Sequence, residues 1–201
     1  MIELYAGYQA RQAASTEALP AGGYEAKIMK AEVIRYDWGD VLAIYFDISA
    51  GDHAGFFAKR WKQDEHSRYE RKWKGVFRVN IPTAKSKFHD SDKRQFEDAM
   101  YAIEGSNSGY TFQGDELTLK GKPVGVLFRN KEWEMDGNTG WTTEACKFIP
   151  IADIRSGNFT VPKDKPLKQK ASGTATTSTA PTPAQEAAAI VETISDDELP
   201  F

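Results

Sequence analysis

KPVGVLFRNKEWEMDGNTGWTTEACKFI, residues 122–149, is the stretch that decides the fold. Its first half places Val124, Val126 and Phe128 at every second position, which is the period of a half-buried β-strand. The sequence DGNTG at residues 136–140 contains two glycines that permit positive φ, and this favours a tight hairpin turn. The remainder of the stretch then returns as the partner strand. The pattern therefore predicts an antiparallel β-hairpin.

The first half of the chain carries three further strand patterns. Apolar residues alternate from Tyr24 to Ile34, and a turn signal follows at residues 37–40. Residues 42–48 are apolar on both faces, so we expect this strand not to be an edge that faces only water, with Tyr45 a candidate for the ligand side. Residues 56–61 predict a third strand that pairs with the second.

A helix is predicted between these strands and the hairpin. Phe96, Ala99, Met100 and Ile103 recur at helical spacing, which predicts a helix over residues 92–104. The order of three strands, one helix and two strands is the order of an OB-fold, a five-stranded Greek-key barrel whose face and loops commonly hold oligonucleotides. The predicted fold is therefore mainly β, an OB-fold with one helix between strands 3 and 4.

Composition limits the classes of protein that fit. The 201 residues are 40% hydrophobic, which suffices for one sizeable core, and the formal net charge is −3. A single cysteine, Cys146, excludes an internal disulfide, and with three histidines it does not provide the spacing of a zinc site. No stretch approaches the ~18 apolar residues of a membrane span. These features predict a cytoplasmic protein without membrane, metal or other cofactor.

Basic and aromatic residues are concentrated between residues 59 and 87. This region holds ten basic residues and three acidic ones in a chain whose total charge is negative. Cations neutralise phosphates and aromatic rings stack on bases, so the mixture predicts sequence-neutral binding of single-stranded nucleic acid. The predicted stacking residues are Tyr45, Trp61, Tyr69, Trp73, Trp133 and Trp141. The predicted phosphate contacts are Lys59, Arg60, Lys62, Arg71, Lys72, Lys74 and Arg78. The opposing interpretation is that some of these aromatics are core anchors and that the charges only solvate a long loop.

The C-terminal part has a different composition. Residues 163–194 are rich in Lys, Ala, Ser, Thr and Pro, which predicts a disordered linker. The last residues form an acidic tip with a terminal aromatic, which no core requires. The predicted partner-binding residues of the tip (195–201) are Asp196, Asp197, Glu198, Leu199, Pro200 and Phe201. With a lead-in over residues 1–21, this leaves residues 22–162 as the folded domain.

Several motifs resemble a known family. Leu117-Thr118-Leu119-Lys120-Gly121-Lys122, Thr139-Gly140-Trp141 and residues 154–159 resemble single-stranded DNA-binding proteins of phages that infect Gram-positive bacteria. The likeness covers roughly residues 22–162. The tip resembles the tail of bacterial single-stranded DNA-binding proteins, whose terminal Phe docks on replication, recombination and repair partners. The resemblance implies a phage-encoded protein that coats and protects single-stranded DNA in the bacterial host.

Two alternatives stay open at this stage. Asp37, Asp40 and Asp47 are hard oxygen ligands that would serve a metal-dependent nuclease. The basic region would also suit a recombination mediator or adaptor that grips an acidic partner protein without coating DNA. The chain lacks a Gly-rich phosphate loop, a nucleophile elbow and a His-Glu-x-x-His helix, so we predict that it is not an enzyme. The oligomeric state is left open, with a homo-oligomer among the options.

Overall fold

A five-stranded antiparallel sheet dominates the computed structural model, which describes residues 18–63, 71–84 and 89–167. The strands are β1 (Gly22–Tyr36), β2 (Gly39–Ile48), β3 (Val76–Ile81), β4 (Pro123–Met135) and β5 (Asn138–Ile149). Their order across the sheet is β3-β2-β1-β4-β5. The helices are α1 (Phe56–Gln63), α2 (His89–Ser106) and α3 (Ile151–Ser156), and a short 3-10 helix covers Glu116–Leu119. The prediction of a mainly β fold is confirmed.

The hairpin of β1 and β2 forms the centre of the sheet together with β4. Its register ends with Tyr36 opposite Gly39. Ile44 and Phe46 of β2 are fully buried on the core face, and Ala43 is fully buried on the opposite face. The strand lies between β1 and β3, so the expectation that it is not an edge strand is confirmed.

The β4–β5 hairpin closes through a two-residue turn at Asp136 and Gly137. Both residues have positive φ, 51° and 78°, which is the geometry of a type I′ turn and matches the right-handed twist of the strands. Phe128 of β4 lies opposite Gly22, the first residue of β1. Beyond this point β4 and β5 leave β1 and continue as a two-stranded arm, residues 129–144, which we call the β4–β5 arm.

The start of the C-terminal segment lies along the free edge of this arm. The backbone N–H of Lys165 donates to the Asn130 carbonyl at 2.8 Å, and the N–H of Glu132 donates to the Lys165 carbonyl at 2.9 Å. The Glu132 carboxylate also accepts the backbone N–H of Leu167 at 3.0 Å. The first five residues of the predicted linker are thus held on β4, and residues 168–201, which include the acidic tip, lie outside the described residues.

Aromatic side chains fill the core between the inner face of the sheet and α2. The Phe46 ring makes edge contacts with the rings of Phe128 and Phe148, at centroid distances of 6.1 and 6.0 Å. Ile103 of α2 is fully buried in the same cluster. The rings of Phe77 on β3 and Phe148 on β5 lie 4.3 Å apart. Because these are the two edge strands, the sheet is strongly curved and its edges approach each other.

The predicted third strand is wrong. Residues 56–61 belong to helix α1, and the third strand lies at residues 76–81, inside the region expected to be a basic loop. The cause is a cap from a distant residue: Asp47 Oδ1 accepts the backbone N–H of Phe57 at 2.9 Å and Asp47 Oδ2 accepts that of Ala58 at 3.1 Å. A carboxylate at this position satisfies free N–H groups at a helix start.

The predicted helix over residues 92–104 is confirmed as α2, which starts three residues earlier and ends two residues later. Helix α3 was not predicted. Its Ile154 packs where two strands carry glycine, because a Cβ at Gly23 or Gly125 would lie 2.7 or 2.6 Å from atoms of Ile154. Gly157 ends α3 in the left-handed conformation, with φ of 71°.

Candidate nucleic-acid interface

One face of β1, β2 and β3 points away from the core and carries the first predicted site residue. Tyr45 lies opposite Lys30 on β1 and Val76 on β3. Two residues along, Ala43 lies opposite Glu32 and Arg78. Directly paired residues of antiparallel strands share a face, so these side chains form one surface, which we call the outer face.

A hydrogen-bonded network fixes Tyr45 on the outer face. Its hydroxyl donates to Glu32 Oε1 at 2.6 Å, and Lys30 Nζ lies 2.5 Å from Glu32 Oε2 and 5.4 Å from the centre of the Tyr45 ring. Burial, followed by the bond to Glu32, raises the pKa of Tyr45 to about 12. The bonds from Lys30 and Tyr45 lower the pKa of Glu32. Tyr45 therefore presents a neutral, half-exposed ring in a fixed orientation.

Trp61 and Trp73 meet where α1 approaches the residues that lead into β3. Their ring centroids are 6.1 Å apart, and both rings are partly buried. The Arg71 guanidinium lies 4.7 Å from the centre of the Trp61 ring and donates to the Trp61 carbonyl at 3.4 Å. Trp61 thus holds a cation against its ring, and the pair presents both charge and a planar surface.

Trp73 has a second set of contacts that ties it to the core. Its indole Nε1–H donates to the Phe46 carbonyl at 3.0 Å, and its ring lies 6.5 Å from that of Phe57. A buried indole usually finds such a partner when it has a packing role. These contacts favour a core function for Trp73, while its role as a stacking residue stays a prediction.

The cations near these aromatics are concentrated in two stretches of the chain. Residues 56–63 and 71–81 contain seven basic residues and no acidic residue. They are the seven predicted phosphate contacts, Lys59, Arg60, Lys62, Arg71, Lys72, Lys74 and Arg78, which we call the cationic set. Among the described residues, no carboxylate forms an ion pair with the following members of the set: Lys59, Arg60, Lys62, Lys74 and Arg78.

Several cations elsewhere in the domain do have carboxylate partners. Arg129 Nη2 lies 2.7 Å from Glu144 on the β4–β5 arm. Lys147 on β5 pairs with Asp98 at 3.7 Å, and Arg155 on α3 forms a two-pronged pair with Glu25 at 2.9 Å. Lys59, Arg60, Lys62, Lys74 and Arg78 differ from these groups, because no carboxylate in the described ranges pairs with them. Such cations attract an external anion.

The carboxylates considered as metal ligands do not converge. Both oxygens of Asp47 accept backbone N–H groups at the start of α1, as described above. Asp37 lies exposed in the turn between β1 and β2, and Asp40 lies on β2 opposite Ile81. Within the described ranges there is no group of three or more His, Cys, Asp or Glu side chains arranged to hold a metal ion.

Trp133 and Trp141 lie on the β4–β5 arm. Trp133 is paired with Gly140 and Trp141 with Glu132, so the two indoles project from opposite faces of the arm. Trp133 packs on the backbone of Gly140, where a Cβ would lie 2.7 Å from its ring, and it is 38% exposed. Trp141 is 52% exposed. At most one of the two can face a ligand held against a single side of the arm.

An aromatic pair outside the predicted set is present at the β1–β2 turn. The rings of Tyr36 and Trp38 are stacked, with centroids 5.0 Å apart and planes 8° from parallel. Trp38 is 39% exposed. A sequence signal for this pair was available: Trp38 lies inside an Asp-Trp-Gly-Asp turn, and a turn at the surface does not require a large ring for packing. Of the predicted residues, Tyr69 and the whole acidic tip lie outside the described residues.

Comparison with known proteins assigns no family. The chain matches no protein-family model and no curated protein. In the part of the chain that the structure describes, no helix has the length and apolar composition needed to span a bilayer. The interpretation of the site therefore depends on its own geometry and charge.

Proposed function

We propose that this protein binds single-stranded DNA, coats and protects it during phage replication or recombination, and has no enzymatic activity of its own. The observation that carries the proposal is the cationic set together with two partly exposed rings: Trp61, which holds Arg71 against its face, and Tyr45, whose strand pairs with the strand of Arg78. The cations neutralise the phosphates of a bound strand, and the rings stack on its bases. Both interactions are independent of base sequence.

We further propose that the sheet is an OB-fold. Its strand order, the approach of its two edge strands and the position of α2 between β3 and β4 in the chain support this assignment. OB-folds bind oligonucleotides on the face of strands 2 and 3 and on the loops that join strands 1–2 and 4–5. Tyr45 and Arg78 lie on the corresponding face, and Trp133 and Trp141 lie near the second of these loops.

In the proposed mechanism, the DNA backbone follows the cations of α1, residues 71–74 and β3, while bases stack on Tyr45 and on the pair of Trp61 and Arg71. An arginine plane over an indole offers a cation and a stacking surface together. The hydrogen bonds that fix Tyr45 reduce the side-chain entropy lost when a base docks on it. Tight binding without base-specific hydrogen bonds is the expected result.

The acidic tip completes the proposal. Its resemblance to the tail of bacterial single-stranded DNA-binding proteins supports a role in recruiting replication, recombination and repair proteins. The tip and the cationic set carry opposite charge and are far apart in sequence, so the two functions are separable. Removal of Phe201 is expected to abolish partner recruitment and to leave DNA affinity unchanged, which a pull-down and a DNA titration with the same truncated protein measure.

The proposal is tested by titrating the full chain into labelled single-stranded and duplex oligonucleotides at several salt concentrations. The expected result is tighter binding to the single strand, little dependence on base composition and a linear fall of log K with log salt. Equal affinity for duplex, or no binding to either, would contradict it. The latter result would favour the mediator alternative, in which the cationic set binds an acidic protein.

A further inference from the structure

The stacked pair at the β1–β2 turn is the strongest feature that the proposed site does not use. Tyr36 belongs to the outer face, because it lies an even number of residues after Lys30 and Glu32 along β1. Its stacked partner, Trp38, extends from the turn itself. The pair therefore continues the same surface that carries Tyr45.

The position of the stacked pair is consistent with a longer path of single-stranded DNA across the outer face. Six residues of β2 separate Tyr45 from Gly39, the partner of Tyr36, which corresponds to about 20 Å of strand. Arg78 lies on the outer face between Tyr45 and the turn, opposite Ala43. The outer face thus carries a ring at its middle, a cation beside it and the stacked pair at its end, with Glu32, Ile34 and Val41 between them.

The charges at the β1–β2 turn indicate which part of a nucleotide the stacked pair would contact. Asp37 is exposed beside Trp38, and its carboxylate repels phosphate. The exposed indole has no such conflict with an uncharged base. One side of the stacked pair is already covered by Tyr36, which orders the Trp38 ring before any ligand arrives.

We propose that Trp38, backed by Tyr36, is a second base-stacking site that extends the single-stranded DNA track from Tyr45 to the β1–β2 turn. This inference rests on the proposed function. The ligand is an unpaired base of the same strand, recognised by its ring and not by its hydrogen-bonding edge. A structural role for the pair, in which stacking only stabilises the hairpin, is the competing interpretation.

The test compares Trp38→Ala with Tyr101→Ala, which removes a 69% exposed ring from α2, outside the outer face. Each full-length variant is titrated with an oligothymidylate of about 16 nucleotides, the upper end of OB-fold site sizes. Trp38→Ala is expected to weaken binding by about fivefold to a hundredfold, the range for loss of one stacked base. Its salt slope should equal that of the wild type, because Trp38 contacts no phosphate. Tyr101→Ala should bind like the wild type.

A second measurement uses the intrinsic fluorescence of the wild type and of Trp38→Phe, which keeps a ring and preserves the hairpin. Stacking on a base quenches an indole, so the wild type should lose more fluorescence on binding than Trp38→Phe. Equal quenching, or a Trp38→Ala affinity equal to that of the wild type, would overturn this inference alone. Failure of the wild type to bind the oligonucleotide would overturn both this inference and the proposed function.

Discussion

Replacement of Trp73 separates a core role from a stacking role, because the two make opposite predictions. Trp73→Ala removes a partly buried indole that packs near Phe57 and Trp61, together with its 3.0 Å hydrogen bond to the Phe46 carbonyl. Full burial of such a ring is worth about 3–5 kcal/mol, and partial burial reduces this, so we expect the free energy of unfolding to fall by about 2–4 kcal/mol. Trp73→Phe keeps a ring but loses the bond, which should cost about 1 kcal/mol.

The assay measures both quantities on the same proteins. Urea denaturation gives the free energy of unfolding, and oligonucleotide titration at low temperature gives the affinity of the folded state. For Trp73→Phe we expect lower stability and an affinity close to that of the wild type. Wild-type stability combined with an affinity loss of about 1–3 kcal/mol would refute the core assignment and identify a stacking residue.

Trp141 provides the matched control. Its ring is 52% exposed and belongs to the β4–β5 arm, outside the buried cluster. Trp141→Ala should therefore change the free energy of unfolding by no more than about 0.5 kcal/mol, the usual range for surface substitutions. Any loss of affinity in this variant reports directly on a contact with DNA.

Three further predictions concern the cap, the tyrosine network and the cations. Asp47→Ala should lower the free energy of unfolding by about 1–2 kcal/mol and reduce helical circular dichroism, because the first turn of α1 loses its acceptor. The folded-state pKa of Tyr45 is raised to about 12, above the ordinary value of 10.0, so its stabilising contribution is complete below pH 10 and is lost as the pH rises toward 12. Alkaline denaturation of Tyr45→Phe should therefore show a weaker pH dependence in this window than the wild type. Neutralising three cations should reduce the magnitude of the salt slope for single-stranded DNA by about 2, since each phosphate contact contributes about 0.7. The substitutions are Lys59→Gln, Lys62→Gln and Lys74→Gln, and an unchanged slope would exclude these side chains from the interface.

Local periodicity was enough to predict most of the sheet. The β4–β5 turn depends on Asp136 and Gly137, whose residue types favour positive φ, so the chain itself encodes the hairpin. The alternation in β1 and β2 and the helical spacing in α2 likewise reflect burial on one face. These signals are carried by neighbouring residues, which is why a single sequence reveals them.

The α1 region shows what periodicity does not reveal. Its aromatic residues favour a strand, but Asp47, ten positions before Phe57, caps a helix there. A contact between residues so far apart does not appear in a local pattern. Strand β3 was not predicted for a different reason. Arg78 and the basic residues before it suggested a solvated loop. In the structure Phe77 and Val79, two residues apart, both pack on the core.

Part of the candidate site was likewise predictable from the sequence, and part depended on tertiary contacts. Residue type and charge pointed to the cationic set and to Trp61, and the structure brings Arg71 of this set onto the Trp61 ring. The contact of Trp73 with the Phe46 carbonyl and the opposite projections of Trp133 and Trp141 depend on tertiary pairing. The stacked Tyr36 and Trp38 needed the hairpin geometry to become recognisable as one surface.

Photo-crosslinking tests the location and the function of the interface together. The full chain is irradiated with a single-stranded oligonucleotide that carries 5-bromodeoxyuridine, and the crosslinked peptides are identified by mass spectrometry, with excess unlabelled single strand as the competitor. We predict competitor-sensitive crosslinks in the peptides that contain Tyr45 and Trp61. Crosslinks confined to α2 or α3, or the absence of competitor-sensitive crosslinks, would contradict a single-stranded DNA-binding site on the outer face.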